Sequence, residues 1–206
     1  MSGWILSSGG NEFSAAYLEA DLAALAKRKN LNSELLVVVT APFPTQLLAY
    51  QTAEKYFANS GVKTIMSPIL SETVLTIENV TQLAQTDAIY FAGGTPSRLT
   101  KCFVDTTAET ALRTALTNGA VLMGSSAGAM LFGTKVVMPG GNEIGKGLNL
   151  LENQIVLAHF GGTWPTWCTQ FQNQGFGLLG LAEGSSLLTS VTAETAPIEF
   201  GPVSRN

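Results

Sequence analysis

One five-residue stretch limits this chain more than any other: Gly124-Ser125-Ser126-Ala127-Gly128, set between the apolar run Ala120-Val121-Leu122-Met123 and Ala129-Met130-Leu131-Phe132. A strand that passes into a helix through a Gly-flanked apex is the nucleophile-elbow layout, with a serine hydroxyl presented outward from the apex. The backbone of such a turn is crowded and strained, and a Cβ on either flank clashes. The amide after the apex, that of Ala127, points at the same space and is placed to donate to an oxyanion. The layout makes Ser126 a candidate nucleophile and implies a hydrolase.

A serine hydroxyl needs a base, most often histidine, to take its proton. The chain has one histidine, His159, at the end of the apolar run Gln154-Ile155-Val156-Leu157-Ala158, which reads as a short strand. A carboxylate should orient the imidazole, and Glu143 and Glu152 are those lying between serine and histidine. Glu152 follows Leu150-Leu151 and reads as a surface residue. Glu143 stands in the Gly-rich segment Pro139 to Gly145, able to bring a side chain to a site, so the expected triad is Ser126, Glu143 and His159.

The chain has 206 residues, is 46% hydrophobic and reads as one domain, 1–206, with a large core. Charged residues make up 13%, with a net charge of −4, against both disorder and a nucleic-acid binder, which would show a basic stripe. Two distant cysteines, Cys102 and Cys168, make no disulfide framework and, with a single histidine, no zinc site, so neither metal nor cofactor is expected. With no apolar run long enough to span a bilayer and no leader pattern before Trp4, the expected location is cytoplasmic, with no membrane partner.

Strand and helix signals alternate along the first two-thirds. Trp4–Ser7, Leu35–Thr40, Lys63–Ser67, Ala88–Ala92 and Ala120–Met123 read as strands. Helices are expected over 12–29, 45–59, 78–85 and 106–118. This pattern implies βαβ crossovers: an α/β fold, three-layer and doubly wound, with a mostly parallel sheet and helices on both faces. Ligands of such sheets bind beyond the carboxyl ends of the strands, where Ser126 and the Gly93-Gly94-Thr95-Pro96 turn both fall. The last third is less regular, with strands expected at 154–159 and 186–191. The Ser8-Gly9-Gly10 turn lacks the spacing of a dinucleotide fingerprint and reads as an ordinary turn.

Four segments together resemble a known family. Gly124 to Ala129 resembles the G-x-S-A-G-A signature of the dipeptidase E and cyanophycinase family of serine peptidases. Phe91-Ala92-Gly93-Gly94-Thr95 resembles its G-G turn, Gly147 to Leu151 with His159 its histidine segment, and Gly180-Leu181-Ala182-Glu183-Gly184 its G-I-D-E segment. The resemblance implies a class I glutamine amidotransferase-like fold, a Ser-His-acid triad, and an oxyanion hole from the Gly93-Gly94 turn (through Gly94) and Ala127. The family's acid falls best on Glu143, with Asn142 the neighbouring alternative. The family's usual reactions are cleavage of small peptides after aspartate and hydrolysis of β-linked Asp-Arg polymer.

Family members that select acidic residues carry arginine soon after the histidine, whereas Phe160 to Leu181 contains neither lysine nor arginine. A substrate carboxylate buried there would lack a partner, at a cost of several kcal/mol. The expectation is a neutral pocket walled by Trp164 and Trp167, bordered by Gly93 and Thr95, with Arg98 or Lys101 the alternative carboxylate partners. The expected partner is a small peptide substrate, and a homodimer is left open. The alternatives are an α/β-hydrolase-type esterase, which shares the G-x-S-x-G pattern, and a non-catalytic ligand-binding member of the same fold.

Overall fold

The computed structural model describes residues 3–41, 44–192 and 195–206. Its strands are β1 (Trp4–Ser8), β2 (Leu35–Val38), β3 (Thr64–Met66), β4 (Ala88–Phe91), β5 (Val121–Ser125), β6 (Lys135–Val137), β7 (Glu143–Lys146), β8 (Gln154–Leu157), β9 (Gly177–Leu181), β10 (Ser186–Ser190), β11 (Ile198–Phe200) and β12 (Val203–Arg205). Its helices are α1 (Leu18–Leu25), α2 (Thr45–Ala58), α3 (Ile77–Gln85), α4 (Pro96–Phe103), α5 (Thr107–Thr117), α6 (Ala127–Leu131) and α7 (Cys168–Gln172).

The continuous apolar runs become strands buried on both faces, as parallel strands under helices must be. In space they lie in the order β3-β2-β4-β5-β1, all parallel, and β10 and β11 extend the sheet antiparallel beyond β1. Alternate side chains leave in opposite directions. Leu36, Phe91 and Leu122 meet Leu99, Phe103 and Leu112 of α4 and α5 on one face. Leu35, Tyr90 and Met123 meet Ala24, Ala53 and Phe57 of α1 and α2 on the other. Each such Leu or Phe contributes about 1.5–3 kcal/mol by leaving water. The result is a mixed α/β architecture with helices on both faces of a largely parallel sheet.

A second sheet, β12-β9-β8-β6-β7, was not anticipated beyond its strand at 154–159. Lys135, Glu143, Lys146 and Arg205 break up β6, β7 and β12, and glycines interrupt β9, so these strands do not form continuous apolar runs. Val156 and Leu179 face the first core, whereas Ile155 and Leu178 pack with Phe160, Cys168 and Phe171 in a separate cluster. The helix expected over 12–29 is shorter, because Asn11 and Phe13 take positive φ values of 52° and 60° and delay its start. α4, not among the expected helices, opens with proline in its first turn and buries Leu99, Cys102 and Phe103 on one face.

The two sheets are joined at the end of the described chain. β11 pairs with β10 in the first sheet, and β12 pairs with β9 in the second. The turn between them packs on the 181–186 loop, where a Cβ on Gly201 would lie 3.0 Å from the carbonyl oxygen of Gly184. Among the described residues, no helix is long and apolar enough to cross a membrane.

Candidate active site

Ser126 sits between β5 and α6 with φ 52° and ψ −115°, a conformation that non-glycine residues avoid. The packing holds it there. Its amide donates to Ser8 O at 3.1 Å, and its carbonyl accepts from the Met130 amide at 3.0 Å. A Cβ on Gly124 would come within 2.6 Å of the Gly128 backbone, and one on Gly128 would overlap the Phe91 carbonyl. Both glycines are therefore required by close backbone approach.

β8 ends at Leu157, and His159, at φ 54°, turns back so that its amide donates to Gly9 O at 2.7 Å. Its Nε2 lies 2.8 Å from Ser126 Oγ. Gly10 forms the floor under the ring, where a Cβ would overlap Cε1 of the imidazole. The Ser8-Gly9-Gly10 turn, read from sequence as ordinary, is thus part of the site. Ser8 pairs with Ser125 on one side and Ser186 on the other, which brings the ends of β1 and β5 and the start of β10 to one level.

The carboxylate on His159 Nδ1 is that of Glu183, through Oε1. A carboxylate only accepts, so Nδ1 carries the ring proton and Nε2 is left to accept from the serine hydroxyl. The loop bearing Glu183 is fixed from several sides. The Gly184 amide donates to the Tyr17 hydroxyl at 2.7 Å, Ser185 Oγ donates to Ala182 O at 2.8 Å, and the Gly9 amide donates to Ser185 O at 2.9 Å. Burial, seconded by the charge of Glu183, pushes the Tyr17 hydroxyl above its ordinary pKa, so it stays a neutral phenol. The His159 and Glu183 side chains are 47% and 48% exposed, so this end of the site is open to water.

Glu143 is not at the imidazole, which corrects the expected triad membership. It opens β7, paired across to Val137, and its carboxylate takes the Lys135 ammonium at 2.8 Å. The Gly-rich segment is the turn of the β6–β7 hairpin, with Asn142 inside it accepting from the Met138 amide. Glu183 had a visible signal, since its segment was one of the four family-like stretches. The acid expected from the sequence lies between serine and histidine in the chain, whereas the loops after β8 and before β10 open at the same edge.

Of the remaining expected residues, Gly93, Gly94, Ser126 and His159 line one cleft of about 390 Å³, together with Glu12. Ala127 is the first residue of α6, where an amide has no partner within its own helix. Thr95 is the N-cap of α4, and the Arg98 guanidinium donates to the Thr40 carbonyl at 3.2 Å; neither lines the cleft. A second recess of about 120 Å³ borders His159, walled by Met130, Leu157, Phe160, Pro165 and Trp167. Trp167 Nε1 donates to Pro139 O at 2.8 Å, and Trp164 packs on Phe160 with ring centroids 4.4 Å apart. Neither lysine nor arginine lines this recess. Among the described residues, no group of His, Cys, Asp and Glu could hold a metal ion.

The largely parallel α/β sheet with helices on both faces is a class I glutamine amidotransferase-like fold, with a serine at its strand-to-helix elbow. Solved structures share this fold: a peptidase from an acI-B1 Actinobacterium has a TM-score of 0.78 at 18% identity, covering 99% of this chain and 97% of that one. A putative peptidase E protein from Listeria monocytogenes EGD-e has a TM-score of 0.66 at 16% identity, covering 97% and 98%. No match was found among curated proteins. The model of peptidase family S51 matches residues 4–191, and the chain belongs to that family. It is a serine-type peptidase, which sets aside the α/β-hydrolase esterase alternative.

Proposed function

We propose that Ser126, His159 and Glu183 act as a catalytic triad that hydrolyses small peptides with an uncharged side chain beside the scissile bond. One observation carries the reading: Ser126 Oγ stands 2.8 Å from His159 Nε2 while the Glu183 carboxylate holds the opposite ring nitrogen. Ser126 Oγ attacks the carbonyl carbon as Nε2 takes its proton, and the resulting oxyanion meets the amides of Gly94 and Ala127. The imidazolium, steadied by Glu183, gives its proton to the departing amine. Water then attacks the acyl ester with Nε2 again as base, releasing the acid and restoring the serine. The apolar recess beside His159 supports the preference for an uncharged side chain, because a buried carboxylate there would find no cation.

The test is labelling by a fluorophosphonate probe, combined with cleavage of a dipeptide library by wild type and Ser126→Ala. Labelling and cleavage in wild type alone are expected, with apolar residues favoured over aspartate. Equal labelling of Ser126→Ala, or a preference for aspartate, would overturn the corresponding part of the reading.

A further inference from the structure

Tyr17 is a fully buried residue that touches no reacting atom, yet it stands behind both supports of the imidazole. Its hydroxyl accepts from the Gly184 amide at 2.7 Å, one residue beyond Glu183. The Gly10 amide also bears on this oxygen as an N–H donor, and Gly10 is the floor under the His159 ring. One phenol oxygen thus meets both the loop that carries the acid and the turn that carries the ring.

The segment after β1 brings it there. Asn11 and Phe13 are held at φ 52° and 60°, which for a bulky residue such as phenylalanine persists only where surroundings impose it. They do: the Phe13 ring packs on Tyr56 and Tyr90 at centroid distances of 5.9 and 5.1 Å. The chain then makes one tight helical turn over Ala15–Tyr17, with the Tyr17 amide donating to Ser14 O at 3.1 Å, and the phenol ring drops inward. Gly184, at φ 75°, lies against the same turn, since a Cβ on it would be 3.7 Å from Ala16 Cβ.

The acid needs such a restraint. The Glu183 and His159 side chains are each about half exposed, so water screens their attraction and side-chain entropy opposes it. Pairing alone does not hold an imidazole to the fraction of an ångström that catalysis demands. Within the loop Ser185 turns back to Ala182, and the Gly9 amide secures the far end at Ser185; the residue next to the acid is held by Tyr17.

We propose that Tyr17 is a positioning residue of the catalytic site, whose buried hydroxyl ties the Glu183 loop to the Gly10 turn and so aims the carboxylate at His159 Nδ1. Phenylalanine at this position would fill the same space but leave the Gly184 N–H without its acceptor, and the loop would turn to find water. The carboxylate would then swing from Nδ1, and the ring would lose the tautomer that leaves Nε2 free to take the serine proton. This role rests on Ser126, His159 and Glu183 forming the triad.

The test is a double-mutant comparison: Tyr17→Phe in wild type and in Glu183→Ala, with dipeptide hydrolysis resolved into kcat and KM. Tyr17→Phe should lower kcat by roughly 100-fold in wild type, the usual cost of an ångström-scale misplacement, and move KM less than about threefold. In Glu183→Ala the same substitution should cost less than about threefold in kcat, because no carboxylate is left to aim. A merely structural role would cost the same in both backgrounds; that result, or a wild-type kcat in Tyr17→Phe, overturns the proposal. His159 is the one histidine of the chain, so its ring-nitrogen resonances report the tautomer directly. Nδ1–H is expected in wild type and a mixture in Tyr17→Phe, and identical spectra overturn the proposal as well. If Tyr17→Phe fails to fold, 3-fluorotyrosine installed at position 17 keeps the ring and weakens the oxygen as an acceptor. It should lower kcat severalfold only where Glu183 is present, and an unchanged kcat there overturns the role of Tyr17. Glu183→Ala with wild-type kcat overturns the triad instead.

Discussion

Two glycine-rich segments look alike in the sequence and behave differently in the molecule. At Gly124 to Gly128, any side chain on either glycine would strike backbone atoms of the elbow helix or of Phe91. At Gly140, in the β6–β7 hairpin, a Cβ would meet nothing closer than the Asn142 side chain at 3.7 Å, whereas its neighbour Gly141, at φ 83°, is crowded by the Trp167 side chain at 2.8 Å. Glycine marks a site where space is denied, and only a bend where it is not. The same contrast separates the two glutamates. Glu143, in the open hairpin, pairs with a lysine; Glu183, in a loop tied by three hydrogen bonds, meets the imidazole.

The contrast can be broken by substitution. Ser126→Ala should lower kcat by roughly 10⁴–10⁶, as for triad members that act as a unit; Gly140→Ala, in the other segment, should stay near wild type in peptide hydrolysis. Glu183→Gln should cost about 10²–10⁴ in kcat by releasing the imidazole from its productive tautomer. Glu143→Gln should change kcat less than twofold; a large loss there with Glu183→Gln silent would reverse the assignment. Gly10→Ala should displace the His159 ring and cost about 100-fold in kcat, by the usual sensitivity of catalysis to ångström-scale misplacement. Fluorophosphonate labelling should slow in parallel.

A smaller effect concerns stability alone. Asp21 is fully buried, its Oδ2 accepts from the Tyr56 hydroxyl at 2.9 Å, and burial raises its pKa to about 7. Unfolded, an aspartate titrates near 4, so this group favours the fold below about pH 4, and that contribution is lost as pH rises through about 7. Asp21→Asn should raise the melting temperature at pH 8, flatten its dependence between pH 4 and 8, and leave kcat unchanged. The shift corresponds to on the order of 4 kcal/mol.

The core sheet was legible because Leu35 to Val39 and Ala88 to Ala92 are continuous apolar runs, a pattern that only doubly covered strands require. The elbow was legible because crowding admits few residues at Gly124 and Gly128. The second sheet was hidden because β6, β7 and β12 mix charged or polar residues into three or four positions and β9 is interrupted by glycines, so none of them is a continuous apolar run. Gly10 and Glu183 were hidden for another reason. Their roles arise from the register that sets Ser8 beside both Ser125 and Ser186, a contact across more than a hundred residues: the segment of Glu183 is visible as a motif, but its meeting with His159 is not.

The β11–β12 segment at the end of the described residues has a consequence of its own. One of its strands is stitched to β10 and the other to β9, and its turn rests on Gly184, next to the acid. It works as a buckle across the Glu183 loop. Deleting residues 198–206 should therefore dull catalysis before it unfolds the parallel core, since the loop loses its outer support while the elbow keeps its own. Residues 198–206 would then tune the reactivity of an imidazole about forty residues upstream without touching it.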